Sequence, residues 1–178
     1  ALLNAASFYG ASHQQPQEFF VVTSFPVLRT TQKKGIRIHY ISKKDIPEML
    51  IESKKTETGY LKISNPALTA CDLIQFEKRV GGINRVSTVL NELAESIHPE
   101  MFCNGLFEHV QVTTLQRLGY ILEYALENKI LADTLYKALQ QQGIIFFRTR
   151  LKTSASITGC TTNERWKVIE NTKIEIDD

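Results

Sequence analysis

The sequence has few of the residues that most chemistry-bearing motifs require. Its three cysteines, Cys71, Cys103 and Cys160, are odd in number and widely separated. They form no CxxC pair and no Cys/His ligand spacing, so neither a zinc site nor a disulfide framework is expected. Reduced thiols in a cytoplasm follow as the simple expectation. No apolar run approaches the roughly 18–20 residues of a membrane span, and there is no basic-then-apolar signal sequence. GxSxG, GxGxxG, P-loop and HExxH patterns are missing, so acyl transfer, nucleotide cradling and zincin chemistry have no sequence support. Internal repeats and low-complexity tracts are lacking as well. The formal net charge is only +2, so no global field calls for nucleic acid or an anionic membrane.

What remains is an ordinary globular composition, 43% hydrophobic and 22% charged over 178 residues. That length supports one domain, or one domain with a subdomain, burying roughly two-thirds of its unfolded surface. The charge is unevenly distributed. Arg29, Lys33, Lys34, Arg37, Lys43, Lys44, Lys54, Lys55 and Lys62 crowd the first third, partly offset by Asp45, Glu48, Glu52 and Glu57. Arg148, Arg150 and Lys152 form a second basic run, and the chain ends acidic at Glu175, Asp177 and Asp178.

The chain opens on residues 1–9 as a helix already under way, with Gly10 as its stop and no capping residue at its start; chain before Ala1 is therefore expected. Residues 18–23 are a continuous β-rich run that suits a buried strand, bounded by Pro26. After Gly35, the run 36–41 alternates and predicts a strand with its isoleucines on one side and Arg37 and His39 on the other. A short helix over 46–50 has Asp45 as cap and Pro47 in its first turn. A strand at 59–63 leads to Asn65 as N-cap and Pro66 at the first helical position, opening a helix to about Lys78. Gly81-Gly82 breaks it. Amphipathic helices then follow over about 83–96, 100–108, 113–126 and 132–142. Strands at 144–149 and 166–169 flank a Ser/Thr/Gly loop, and 172–176 could add a last one. The order predicts an α+β fold: a mixed sheet from residues 19–63 and 144–176 packed against a helical segment over 66–142.

Histidines 13, 39, 98 and 109 are scattered and read as structural or exposed. Glu108 and His109 do not make an acid–base pair, because adjacent helical residues point apart. Cys71 reads as a small core residue. Glu52-Ser53-Lys54 is an E-x-K triplet of the kind that holds Mg²⁺ in restriction-endonuclease-like folds, with Asp45 or Glu48 as the upstream acid; the competing account is a solvated charge run. Asp72 is placed by its helix among Leu68, Leu73 and Phe76. A half-buried carboxylate needs a partner, and Arg85 or Arg79 across the Gly81-Gly82 turn is the expected one, giving a structural Asp72–Arg85 ion pair. Apart from that triplet no residue set suggests a metal, and no cofactor is expected.

Several segments, in order, carry a family likeness. They are the run 17–23, the basic turn at Arg29, the strand from Gly35 to Tyr40, and the stretch from Thr58 to Leu73, which contains Ser64-Asn65-Pro66-Ala67-Leu68-Thr69-Ala70-Cys71-Asp72-Leu73. Gly81 to Leu90 follows, and then Arg117-Leu118-Gly119-Tyr120-Ile121-Leu122-Glu123. Together they resemble the AbiEi family of type IV antitoxins and predicted transcriptional regulators; the S-x-P-x-L-T-A-x-D-L and R-L-G-Y-x-L-E segments are the specific parts. The resemblance implies a bacterial two-gene abortive-infection cassette and a non-enzymatic, cytoplasmic antitoxin body spanning 1–178, without membrane association. It implies a nucleotidyltransferase-like toxin as the counteracted partner, without a stable complex being required. Operon autorepression would run mainly through an N-terminal winged helix-turn-helix that precedes this body in family members. Arg29, Lys33, Lys34 and Arg37 with Arg148, Arg150 and Lys152 are the candidate nucleic-acid or partner-binding surface, through phosphate contacts; a merely solvated face is the other account of them. Two further readings stand beside these: a nuclease built on Glu52 and Lys54, active or degenerate, and a small-ligand sensor with an apolar pocket among the helices.

Overall fold

The computed structural model describes residues 1–12 and 17–177, so His13 and Asp178 lie outside the described residues. The α+β class holds, with strands towards both ends of the chain and helices between them. Among the described residues the strands form three separate small sheets rather than one.

Helix α1 (Leu2–Phe8) buries Leu2, Leu3, Asn4, Ala5 and Ala6. It ends where Gly10, at φ +79°, lets the Gly10 amide bond the Ser7 carbonyl and the Ala11 amide bond the Ala6 carbonyl. That paired closure needs a left-handed residue, which glycine adopts without strain.

The first sheet has order β1 (Glu18–Thr23), β3 (Ile36–Ser42), β2 (Thr31–Lys33), with β1 parallel and β2 antiparallel to β3. Lys34 and Gly35 both take positive φ in the two-residue β2–β3 turn, which matches the twist of a tight hairpin. Strand β1 is not the buried strand its composition suggests: only Phe20 is buried. It is an edge strand, and α1 covers part of that edge. The Asn4 side chain accepts from the Phe20 amide at 2.8 Å and donates to the Glu18 carbonyl at 3.3 Å, while the Ala1 nitrogen donates to the Phe20 carbonyl at 2.7 Å. In β3 the isoleucines split between faces, since Ile41 shares parity with Arg37 and His39 and is the strand's buried residue; the His39 ring stacks on Phe20 at 5.2 Å.

A short 3-10 turn (Glu48–Leu50) replaces the helix expected over 46–50, and then comes a hairpin of β4 (Ile51–Thr56) and β5 (Gly59–Ser64). Strand β4 is the polar run Glu52-Ser53-Lys54-Lys55. Its pairing with β5, rather than any apolar alternation, makes it a strand.

Helix α2 (Pro66–Gln75) is capped by the Asn65 side chain, which accepts from the Leu68 amide at 2.9 Å. Every residue from Pro66 to Ile74 is buried, as befits a helix apolar nearly all round. Around it pack α1, α3 (Ile83–Leu93) and α5 (Val112–Tyr120). Helix α4 (Asn104–His109) follows a 3-10 turn at Pro99, α5 runs into a π-helical turn at Ile121–Ala125, and α6 (Lys129–Gln141) is capped by Asn128. The last sheet is two residues deep, β6 (Thr149–Arg150) parallel to β7 (Val168–Ile169). Neither 144–148 nor 172–176 is regular strand. The Gln116 side chain takes the place of a strand neighbour there, donating to the Phe147 carbonyl at 2.7 Å and accepting the Phe147 amide at 3.2 Å.

Candidate functional site

A cleft of about 670 Å³ lies where α1, β1, the 3-10 turn and the β4–β5 hairpin converge above α2. Phe8, Phe19, Val21, Ile46 and Leu61 line it. Each of these apolar side chains is left between 38% and 45% exposed. The cleft floor is polar. Lys43, just past the end of β3, and Asp72, on the buried face of α2, meet there with Nζ 2.7 Å from Oδ1, and His109 from the end of α4 completes it.

Asp72 therefore finds its partner in Lys43 and not in Arg85, whose stem lies over Gly81 on the far side of the helical turn. Asp72 is 3% exposed. Burial pushes its carboxyl above the usual carboxylate range, and the Lys43 ammonium opposes that shift. Burial and the Lys43 charge both hold His109 below the ordinary imidazole range, against the pull of Asp72 and Asp45. Cys71 sits beside them, wholly buried, its thiol pushed up by burial and by the Asp72 charge, which keeps it protonated and unreactive.

Glu52 lies in a strand, as a nuclease reading demands, but its carboxylate is engaged by the Lys54 ammonium at 2.9 Å and by the Tyr9 hydroxyl at 3.1 Å. Among the described residues no group of three His, Cys, Asp or Glu side chains could hold a metal ion. The E-x-K triplet is a hairpin arm fastened to α1. His98 precedes the Pro99 turn, and His39 lies 3.7 Å from Glu18.

The seven candidate basic residues fall on two sheets. Lys33 and Arg37 lie on the first, Lys34 in its β2–β3 turn and Arg29 in the loop before β2, and Arg37 pairs with Glu18 at 3.2 Å. Among the described residues the Arg29, Lys33 and Lys34 side chains make no hydrogen bond or ion pair, and all three are exposed. Arg150 lies in β6, with Arg148 just before it and Lys152 just after, and Arg148 is turned towards Thr162 at 3.0 Å.

The family model described as "AbiEi antitoxin C-terminal domain" matches residues 1–124. The chain belongs to this family. A comparison with curated proteins gives no match. Among solved structures, the crystal structure of the RV2827C protein from Mycobacterium tuberculosis is similar at a TM-score of 0.64 and 14% identity. The likeness covers 95% of this chain and 60% of that one, and it bears on the fold alone.

The two segments most characteristic of the AbiEi likeness now have physical roles. In the first, Asn65 caps α2, Thr69 bonds the Ser64 carbonyl at 3.1 Å, and Asp72 reaches Lys43; the segment pins the helix to β5 and β3 and forms the cleft floor. In the second, each polar residue holds the chain beyond the matched region. The Arg117 guanidinium, 4% exposed, donates to the Ile74 and Leu151 carbonyls at 3.2 and 2.9 Å and to Glu77 at 2.7 Å. Gly119 lies directly under the Trp166 ring, where a Cβ would overlap it. Tyr120 donates to Glu170 at 2.8 Å, and Glu123 accepts from the Trp166 indole at 2.6 Å and from Arg165 at 2.9 Å.

Sequence reasoning missed Lys43 and His109 as parts of one site. Lys43 is one of several lysines in a charged run, and His109 lies 37 positions beyond Asp72 in number alone; only the buried carboxylate on α2 signalled that a cation had to come to it.

Proposed function

We propose that this chain is the antitoxin body of a bacterial type IV toxin–antitoxin system. It counteracts a nucleotidyltransferase-like toxin and supports repression of its own operon, acting by binding and not by catalysis. Membership of the antitoxin-domain family over residues 1–124 is the observation that carries the reading. Operator contact belongs mainly to a winged helix-turn-helix of the kind the family likeness implies. The toxin meets this body functionally, without a stable complex being required, and both act in the cytoplasm.

The proposed contact surface is the basic set: Arg29, Lys33, Lys34 and Arg37 with Arg148, Arg150 and Lys152. Arg29, Lys33 and Lys34 are its strongest part, because exposed cations without internal partners give up the least when they approach phosphate or an acidic surface. Arg37 and Arg148 must first leave Glu18 and Thr162. The test is co-expression in bacteria with the nucleotidyltransferase-like toxin encoded beside it. Restored growth is the expected result; arrest that persists with the chain soluble and abundant would overturn the antitoxin reading.

A further inference from the structure

The cleft over Asp72 has the construction of a small-molecule site, and the antitoxin reading makes no use of it. Its volume of about 670 Å³ lies within the span of roughly 300–1,000 Å³ that ligand pockets occupy. Scattered exposed hydrophobic residues are normal on a protein surface. Here Phe8, Phe19, Val21, Ile46 and Leu61 line one concavity.

The floor has unspent hydrogen-bonding capacity of both kinds. An ammonium carries three donors and a carboxylate two acceptor oxygens. Among the described residues, the Lys43 ammonium donates only to Asp72 Oδ1 and the Asp72 carboxylate accepts only from that ammonium. Donors on Nζ and an acceptor at Oδ2 therefore stand side by side at the bottom of an apolar cleft. The pair is formally neutral. A carboxylate ligand would be drawn to Lys43 and repelled by Asp72, and an ammonium ligand would meet the reverse. A neutral group with a carbonyl beside an N–H satisfies both residues at once, leaving neither buried polar group short of a partner.

We propose that this cleft binds a small molecule with an apolar or aromatic body and a carboxamide-like edge, its carbonyl accepting from Lys43 Nζ and its N–H donating to Asp72 Oδ2. The aromatic side chains of Phe8 and Phe19 supply faces for the body. The site stands independently of the antitoxin reading: either can fail without the other.

The experiment is a ¹H–¹⁵N NMR titration of this chain with 1-naphthamide, 1-naphthoate, 1-naphthylmethylammonium and naphthalene. The amide is expected to shift the signals of β1 and β5 and to bind about tenfold or more tighter than each of the other three, the difference set by hydrogen bonds to charged groups. Phe19→Glu, a change at an exposed wall position, should abolish those shifts while leaving the melting temperature unchanged. The Lys43→Met/Asp72→Leu double variant replaces the floor pair with apolar side chains and should bring the amide and naphthalene to equal affinity. Should that variant not fold, the four-probe comparison and the wall variant decide alone. Equal binding of naphthalene and its amide by the native chain, shifts that map away from the cleft, or no binding at millimolar probe would each overturn the proposal.

Discussion

At the C-terminal end of the fold, Trp166 is fully buried under a stack of partners: Phe146 parallel to it at 5.8 Å, Tyr136 edge-on at 5.3 Å, and Gly119 beneath. Arg165 lies 4.3 Å from the Tyr136 ring centroid and pairs with Glu123 and Asp133. Nearby, Glu77 takes Arg117 on one oxygen and the Thr153 amide and hydroxyl on the other. At the N-terminal end the same residue types are left open. Phe8, Phe19 and Leu61 face a cleft, Lys43 and Asp72 keep hydrogen-bonding capacity in hand, and Arg29, Lys33 and Lys34 stand in solvent. Fully partnered polar groups fix a structure. Groups left short of partners have something to offer a second molecule. The buried C-terminal contacts hold the fold, while the N-terminal end keeps more of its groups available for the binding proposed above.

The sharpest way to break that assignment is at Arg117. Arg117→Met leaves Glu77 charged and buried, and urea denaturation should show a loss of about 3–5 kcal/mol; a loss under 1 kcal/mol would mean the ion pair is not what ties residues 151–153 to α2. Gly119→Ala pushes a methyl into the Trp166 ring and should cost roughly 1–3 kcal/mol, read in the same melts. At the open end effects should be smaller. Lys43→Met should cost only about 1–2 kcal/mol, because Asp72 can take up a proton instead of staying charged. Its carboxyl is already raised above the ordinary value of 3.8, and losing Lys43 raises it further. A group with a raised folded pKa contributes stability that is present below its unfolded value and is lost as pH rises through the folded one. The variant's deficit should therefore grow from acid to neutral pH, and a deficit that shrinks over that range would contradict the pairing. Leu61→Ser, at a cleft wall, should change stability by no more than about 0.5 kcal/mol; a larger loss would make Leu61 part of the core.

The sequence was most readable where local chemistry decides the structure. Asn65-Pro66, Gly10 and Gly81-Gly82 mark helix ends through capping and positive φ, and all appear where expected. Strand β4 was illegible, because Glu52 to Lys55 has neither apolar alternation nor β-branched residues to show a strand until β5 pairs with it. The single mixed sheet failed for a related reason. Strand patterns do not say which strands meet, and a partner for residues 144–149 was supplied by the Gln116 side chain and by two residues of β7. At the candidate site, the need of Asp72 for a cation was legible and the cation was not, since Arg85 is near in sequence and Lys43 only in space.

Charge reversal at Arg29, Lys33 and Lys34 to Glu tests most directly the proposed role of the open end in the antitoxin's contacts. The measurement is rescue of growth from the toxin, with operator binding followed in parallel, using the full-length protein at matched soluble levels and an unchanged melting temperature. Rescue, operator binding or both should fall. Full rescue together with full operator affinity would contradict it.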